Sequence, residues 1–247
     1  MHEEAEPASL PAPRRGLPPG CVLALLLPFA AAAILTAYEA ATWPRVGELA
    51  RENPRTTSFM ERHRARSGRD PAWRWVSYGA ISTSLKRAVI VAEDINFFSH
   101  DGFDAAELRK AIEEAWEERE APRGASTLTQ QLAKNLWLSP SRNPLRKAKE
   151  ALLTRELERR LGKRRILELY LNVAEFGPGV YGAEAAARHY FGKSARDLGE
   201  REAAQLAAGL SRPSIWHPGS GSRAYARQVA RIEARMEKAG FLWNLVR

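Results

Sequence analysis

The 247-residue chain holds a single cysteine, Cys21, so no intrachain disulfide can form and no cysteine-based metal cluster is possible. Histidine is nearly as scarce. His2, His63, His100, His189 and His217 show no metal-ligand spacing such as H-E-x-x-H, and no metal-binding residue is expected. No run of alternating strand residues stands out, and no internal repeat. Acids are outnumbered by bases, which leaves a net charge of +9 and a pI near 10. That excess predicts an anionic partner: nucleic acid, a membrane surface or a phosphate-bearing substrate. What is present is ordinary for a folded protein. Hydrophobic residues make up 45% and charged residues 27%, which excludes long-range disorder. The length allows one medium domain with extras, or two small ones.

The first apolar feature is Cys21–Tyr38, an uncharged stretch rich in Leu and Ala. It just reaches the length needed to cross a bilayer core, and Pro28 is tolerable in such a helix. Arg14 and Arg15 before it favour a cytoplasmic amino end. A cleaved signal peptide, with Ala30–Ala33 as a small-residue cleavage site, is the rival reading. The run is longer than most signal cores, which favours an uncleaved anchor. The expected organisation is a flexible cytoplasmic tail (1–20), a transmembrane anchor (21–38), a basic membrane-proximal bridge (39–74) and a mainly α-helical domain (75–247). Within 44–75, eight arginines face four acids. Such a segment suits anionic headgroups, and equally a solvated linker.

From Trp75 onward the apolar residues keep helical time. Leu85, Val89 and Ala92 form one stripe; Leu108, Ile112 and Trp116 another; Ile166, Leu169, Tyr170 and Val173 a third; Tyr225, Val229, Ile232 and Met236 a fourth, closed by Gly240 as an expected cap. Thr127 and Gln130 have capping-box spacing, which starts a helix at 127–128.

Four segments carry chemistry. In the first, Glu93 lies four residues after Val89 and four before Phe97, within an apolar stripe. A carboxylate there loses hydration, its pKa rises, and it becomes a candidate general base. A helix-end carboxylate leaning into solvent is the plain alternative. In the second, a glycine turn at Gly124 opens a helix dense in uncharged polar groups. Ser126, Thr127, Gln130 and Gln131 suit sugar hydroxyls and amides, and Lys134, four residues after Gln130 and seven after Thr127, lies on one face with those two. An ordinary capped helix with a solvated polar side fits the same pattern. In the third, cations from Arg142 onward crowd ahead of Glu150, which precedes Leu153, Leu157 and Leu161 on an apolar face; an ion pair with Arg146 or Lys147 is its plain role. Two inward carboxylates in a cationic domain suggest glycosyl chemistry with a phosphate leaving group. In the fourth, Asn172–Gly182, glycines 177, 179 and 182 with Pro178 mark a tight connection between helices.

In order, these segments resemble the glycosyltransferase domain of bacterial cell-wall synthases (glycosyltransferase family 51). The matching pieces are Glu93–Asp104, Gly124–Asn135, Arg146–Glu150, Lys163–Gly177 and Gly182–Gly192, and the likeness runs from about Trp75 to Pro218. One departure is Leu210-Ser-Arg-Pro213, where the family has a Pro-x-Pro-like turn and only the second proline is kept. The resemblance implies a lysozyme-like helical fold and polymerisation of lipid II into glycan strands, with release of undecaprenyl diphosphate. It implies Glu93 as catalytic base and Glu150 as second essential acid. Lys134 and Arg142 correspond to diphosphate contacts, and Ser126, Thr127, Gln130 and Gln131 to donor-site contacts. No cofactor is obligatory; a divalent cation, Mg or Mn, could sit at the diphosphate. The expected setting is the inner membrane, single-pass, with the domain on the periplasmic side, other cell-wall synthases as partners and no nucleic acid. No transpeptidase activity is expected, since no S-x-x-K nucleophile appears in an appended module. Two other readings stay open: a membrane-bound lytic glycan hydrolase, and an anchored non-enzymatic module recruiting other synthases.

Overall fold

The computed structural model describes residues 19–118, 126–141 and 143–247. The chain divides into two units, Met1–Pro44 and Arg45–Arg247. The expected tail therefore lies outside the described residues as far as residue 18. In the first unit, helix α1 (Pro19–Ala41) extends the expected span by two residues at its start and three at its end, with Pro28 inside. The amino-terminal helix is long and apolar enough to cross a membrane.

The second unit begins at Arg45 and takes in most of the segment expected to be a bridge. Thr57 caps helix α2 (Ser58–Ser67) by accepting from Met60 N, and Gly68 ends it in the left-handed conformation. Met60 is fully buried. Strand β1 (Ala72–Trp73) follows. Trp73 Nε1 donates to Asn172 O at 2.8 Å, and Val76 exchanges two hydrogen bonds with the Asn172 amide. The separate bridge of 39–74 is thus corrected for residues 45–74, which are part of the folded domain. Arginines and prolines mask the few residues that fasten the segment, and their partner Asn172 lies about a hundred residues away.

Ser82 caps α3 (Thr83–Glu93), and Asp104 Oδ1 accepts from Ala106 N and Glu107 N at the start of α4 (Ala105–Glu118). Then come α5 (Leu128–Trp137), α6 (Pro144–Arg160, capped by Asn143 with Pro at the first turn) and α7 (Lys163–Val173). The Asn172–Gly182 connection is not plain loop. It forms strands β2 (Glu175–Gly177) and β3 (Val180–Tyr181), and β1 joins β3 in parallel to give the order β1-β3-β2. Strands of two or three residues are too short to show alternation. Gly182 has φ 81°, and a Cβ there would meet Asn172 O at 2.6 Å, so only glycine fits. The remaining helices are α8 (Ala183–Phe191), α9 (Glu200–Gly209), α10 (Arg223–Lys238) and α11 (Leu242–Leu245).

The expected stripes on α3, α7 and α10 are buried, apart from Ala92, which is half-buried. On α4, Leu108 is exposed, and the side chains of Ile112 and Trp116 lie outside the described ones. Helix α10 ends on Ala239 rather than Gly240: the Ala239 N–H reaches Arg235 O and Met236 O without a left-handed residue. Helix α3 exceeds its expectation. Leu85 through Val91 are all buried, Lys86 and Arg87 included, which makes it a core helix rather than an amphipathic one. It packs on α9 and α10, while α5 packs on α6 and α7. Arg87 fastens the first group: its guanidinium bonds Glu200 and Met236 O, each at 2.8 Å, and stacks over Trp243.

Candidate active site

Glu93 is the last residue of α3, and Asp94 is its C-cap. A carboxylate at that end faces the negative pole of the helix dipole. Burial is the largest influence on Glu93 and pushes its pKa above the ordinary carboxylate value; Asp94 pushes the same way, while the Gln131 hydrogen bond, Lys134 and Arg235 pull it down. The residue keeps one edge open. It lines a cleft of about 550 Å³ with Asp94, Asp104, Glu107, Ser126 and Arg235.

Helix α5 opposes it, and its start is over-determined. Thr127 and Gln130 form the expected capping box: the Thr127 hydroxyl accepts from Gln130 N, and Gln130 Oε1 accepts from Thr127 N at 3.0 Å. Thr127 Oγ1 also donates to Gly102 O at 2.7 Å. Asp94 accepts from Leu128 N at 2.9 Å and from His100 Nε2 at 2.9 Å, while His100 Nδ1 accepts from Gly102 N. These bonds tie the segment after Glu93 to the amino end of α5. Thr127 and the Gln130 oxygen, expected to contact sugar, are spent on this junction. Ser126 is exposed and borders both clefts. Gln131 points at the other expected residue: its Nε2 donates to Glu93 Oε2 at 2.8 Å and to Ser126 O at 3.3 Å, and its Oε1 accepts from Tyr170 OH at 2.9 Å.

One turn along α5, Lys134 enters a second cleft of about 270 Å³, with Gln130, Gln131, Arg146, Lys147 and Glu150. Desolvation lowers the Lys134 pKa most, Arg146 and Lys147 lower it further, and Glu150 and Glu93 raise it. Glu150 is buried on the α6 face that carries Leu153 and Leu157. It bonds Arg146 at 2.5 Å and also Lys147. Arg146 Nε is buried without a partner among the described residues, a donor awaiting an acceptor. Arg142 lies outside the described residues.

A divalent ion finds poor ligands here. The second cleft offers three cations and a carboxylate already bonded to two of them. Asp94, His100 and Asp104 bring ligand atoms within 4.8 Å of one another, but Asp94 and His100 are bonded to each other and to backbone N–H groups.

Asp94, His100, Tyr170 and Arg235 join the site in the folded chain without standing out as site residues in the sequence. A tyrosine in a leucine stripe carried a signal, since a buried hydroxyl needs a partner. Arg235 carried none, because α10 meets α3 only in the folded chain.

A helical domain with a desolvated glutamate at a cleft, beside a cation-lined second cleft, fits an enzyme that transfers a glycosyl group from a phosphate. The transglycosylase family model matches residues 61–237. The chain is 46% identical over 192 residues to a biosynthetic peptidoglycan transglycosylase of Methylobacillus flagellatus, covering 76% of this chain and 84% of that protein. It is 45% identical over 212 residues to the one of Thiobacillus denitrificans, covering 84% and 91%. With that of Aromatoleum aromaticum it shares 48% over 189 residues, covering 74% and 82%. The chain belongs to the transglycosylase family, and its activity is peptidoglycan glycosyl transfer.

Proposed function

We propose that the enzyme polymerises lipid II by inverting transfer, with the growing glycan on undecaprenyl diphosphate as donor and lipid II as acceptor. The observation that carries this reading is the division of labour across Ser126: a cleft holding the base-like Glu93 on one side, and a cleft holding Lys134, Arg146 and Lys147 on the other. Glu93 takes the proton from the 4-hydroxyl of the acceptor N-acetylglucosamine. That oxygen attacks the anomeric carbon of the donor's terminal muramyl sugar, and the bond to the diphosphate breaks on the opposite face. Lys134, Arg146 and Lys147 meet the charge that builds on the departing diphosphate; the sequence resemblance adds Arg142. Glu150 is the carboxylate that holds two of those cations in place. A divalent cation, Mg or Mn, would ride on the diphosphate oxygens, and no step here depends on it.

The setting belongs to the same proposal: a single-pass anchor in the inner membrane, with the catalytic domain on the periplasmic side. Leu145 and Leu152, seven residues apart on α6, are 73% and 60% exposed, and Arg155 and Arg159 follow along that helix. Exposed leucines beside arginines support contact with an anionic lipid surface, where the substrate's polyprenyl chain resides.

The test is polymerisation of purified lipid II by the full-length protein, with Glu93→Gln as the control. The native enzyme is expected to make glycan strands and the variant to be slower by about 10²–10⁴-fold, the range for losing a general base. Strand synthesis at the native rate by a folded Glu93→Gln protein removes Glu93 from the chemistry.

A further inference from the structure

We propose that Tyr170 is a positioning residue for catalysis, its phenol fixing the Gln131 amide so that the amide holds and aims the Glu93 carboxylate. The inference rests on Glu93 being the base.

The chain of contacts has one consistent polarity. Gln131 Nε2 faces two acceptors, Glu93 Oε2 at 2.8 Å and the backbone oxygen of Ser126 at 3.3 Å. A carbonyl oxygen can only accept, so the NH₂ must lie on that side and Oε1 on the other. Oε1 then needs a donor, and Tyr170 OH supplies it at 2.9 Å. Tyr170 is 1% exposed on α7, so its ring cannot swing out and its hydroxyl cannot exchange this partner for bulk water. Burial, with Glu93 and Asp94 nearby, pushes the phenol pKa well up, which keeps it a neutral donor. A core helix thus reaches the catalytic carboxylate through one amide. The arrangement matters because Glu93 ends its helix, and Gln131 is the one described residue whose side chain hydrogen-bonds its carboxylate. Without the phenol, the amide is free to rotate, and the carboxylate loses the donor that orients it and favours its ionised form.

Among the described residues, Asp94 beside it, Lys134 from α5 and Arg235 from α10 act on Glu93 by charge, and Asp104 and Glu107 share its cleft. All of them stay in place in the variants below, so a displaced pH profile reports the amide.

The experiment is steady-state polymerisation of lipid II across pH by the full-length protein and Tyr170→Phe, which keeps the ring and its packing. The expected result is a kcat lower by about 3–10-fold, the scale of one neutral hydrogen bond. KM should hold, because Tyr170 is buried and cannot touch substrate. The acid limb of kcat/KM should move to higher pH, since the lost donor had favoured the ionised base. Gln131→Met breaks the same chain from the other end and leaves Tyr170 untouched, so it should move the acid limb in the same direction. In the Gln131→Met background, Tyr170→Phe should add nothing to kcat. An unmoved acid limb in both single variants overturns the inference, and so does an undiminished Tyr170→Phe effect in the double variant. Should Tyr170→Phe not fold, Gln131→Met alone decides through its acid limb. Glu93→Gln separates the two levels: a fully active Glu93→Gln enzyme sinks the base itself, whereas an inactive one beside an unaffected Tyr170→Phe sinks only the positioning role.

Discussion

Glu93 and Glu150 flank the same helix, α5, and are built in opposite ways. Glu150 has each carboxylate oxygen bonded to a cation, one Arg146 and one Lys147. Among the described residues, Glu93 has a single side-chain donor, the neutral amide of Gln131, and faces Lys134 and Arg235 only through space. The contrast separates two uses of a buried acid. A carboxylate that is to take a proton must be left under-compensated, so that burial keeps it basic. A carboxylate that is to hold cations in place must be saturated, so that it binds nothing else. The first arrangement costs stability and leaves reactivity; the second orders the basic wall of the neighbouring cleft.

Each side can be broken separately, and the effects should fall in order. Glu93→Gln should abolish most activity, by about 10²–10⁴-fold, without lowering the melting temperature. The sign follows from its pKa: a carboxylate whose folded value is raised weakens the fold above that value, and the amide removes that cost. The same raised value sets the pH dependence. With Glu93 as the proposed base, protonation below that value should make kcat/KM of the native enzyme fall on an acid limb lying above the ordinary carboxylate value. Glu150→Gln should act chiefly on stability. It leaves Arg146 and Lys147 without their counter-charge, a loss of about 3 kcal/mol and roughly 6–12 °C in thermal unfolding. A variant that melts like the native protein would show that the Arg146 and Lys147 pairs with Glu150 do not stabilise the fold. Lys134→Ala should lower kcat by about 10²-fold, as for loss of one charge-stabilising donor, with a melting temperature close to native; an unchanged rate moves the diphosphate off Lys134. Smallest of all, Thr127→Ala removes a helix cap worth about 1 kcal/mol. It should lower Tm by a few degrees and leave KM nearly untouched, because Thr127 serves the α5 junction; a large rise in KM would instead make it a sugar contact.

Much of this was legible beforehand where the signal is local. The capping box at Thr127 and Gln130 is a spacing of three, and it forms as read. The burial of Glu150 follows from its place on the leucine face of α6. The raised pKa of Glu93 follows from an acid in an apolar helix. Other features were hidden. The β1-β3-β2 sheet is made of pieces too short to have a period. Residues 45–74 read as a bridge because their composition is basic, yet Trp73 and Val76 are pinned by Asn172. Gln131 read as a sugar contact, and its amide is bound to Glu93 and Tyr170.

The sequence by itself determined which residues could be chemical, because helix period, caps and burial of an acid are set by neighbours within a few positions. It also determined the family, through several long motifs in fixed order. Only the tertiary structure decided the partners: Gln131 with Glu93 across 38 residues, Tyr170 with Gln131 across 39, and Arg235 in the cleft of Glu93. Those pairings depend on how α3, α5, α7 and α10 pack, and a hydrogen bond of 2.8 Å is fixed by that packing, whatever the distance along the chain.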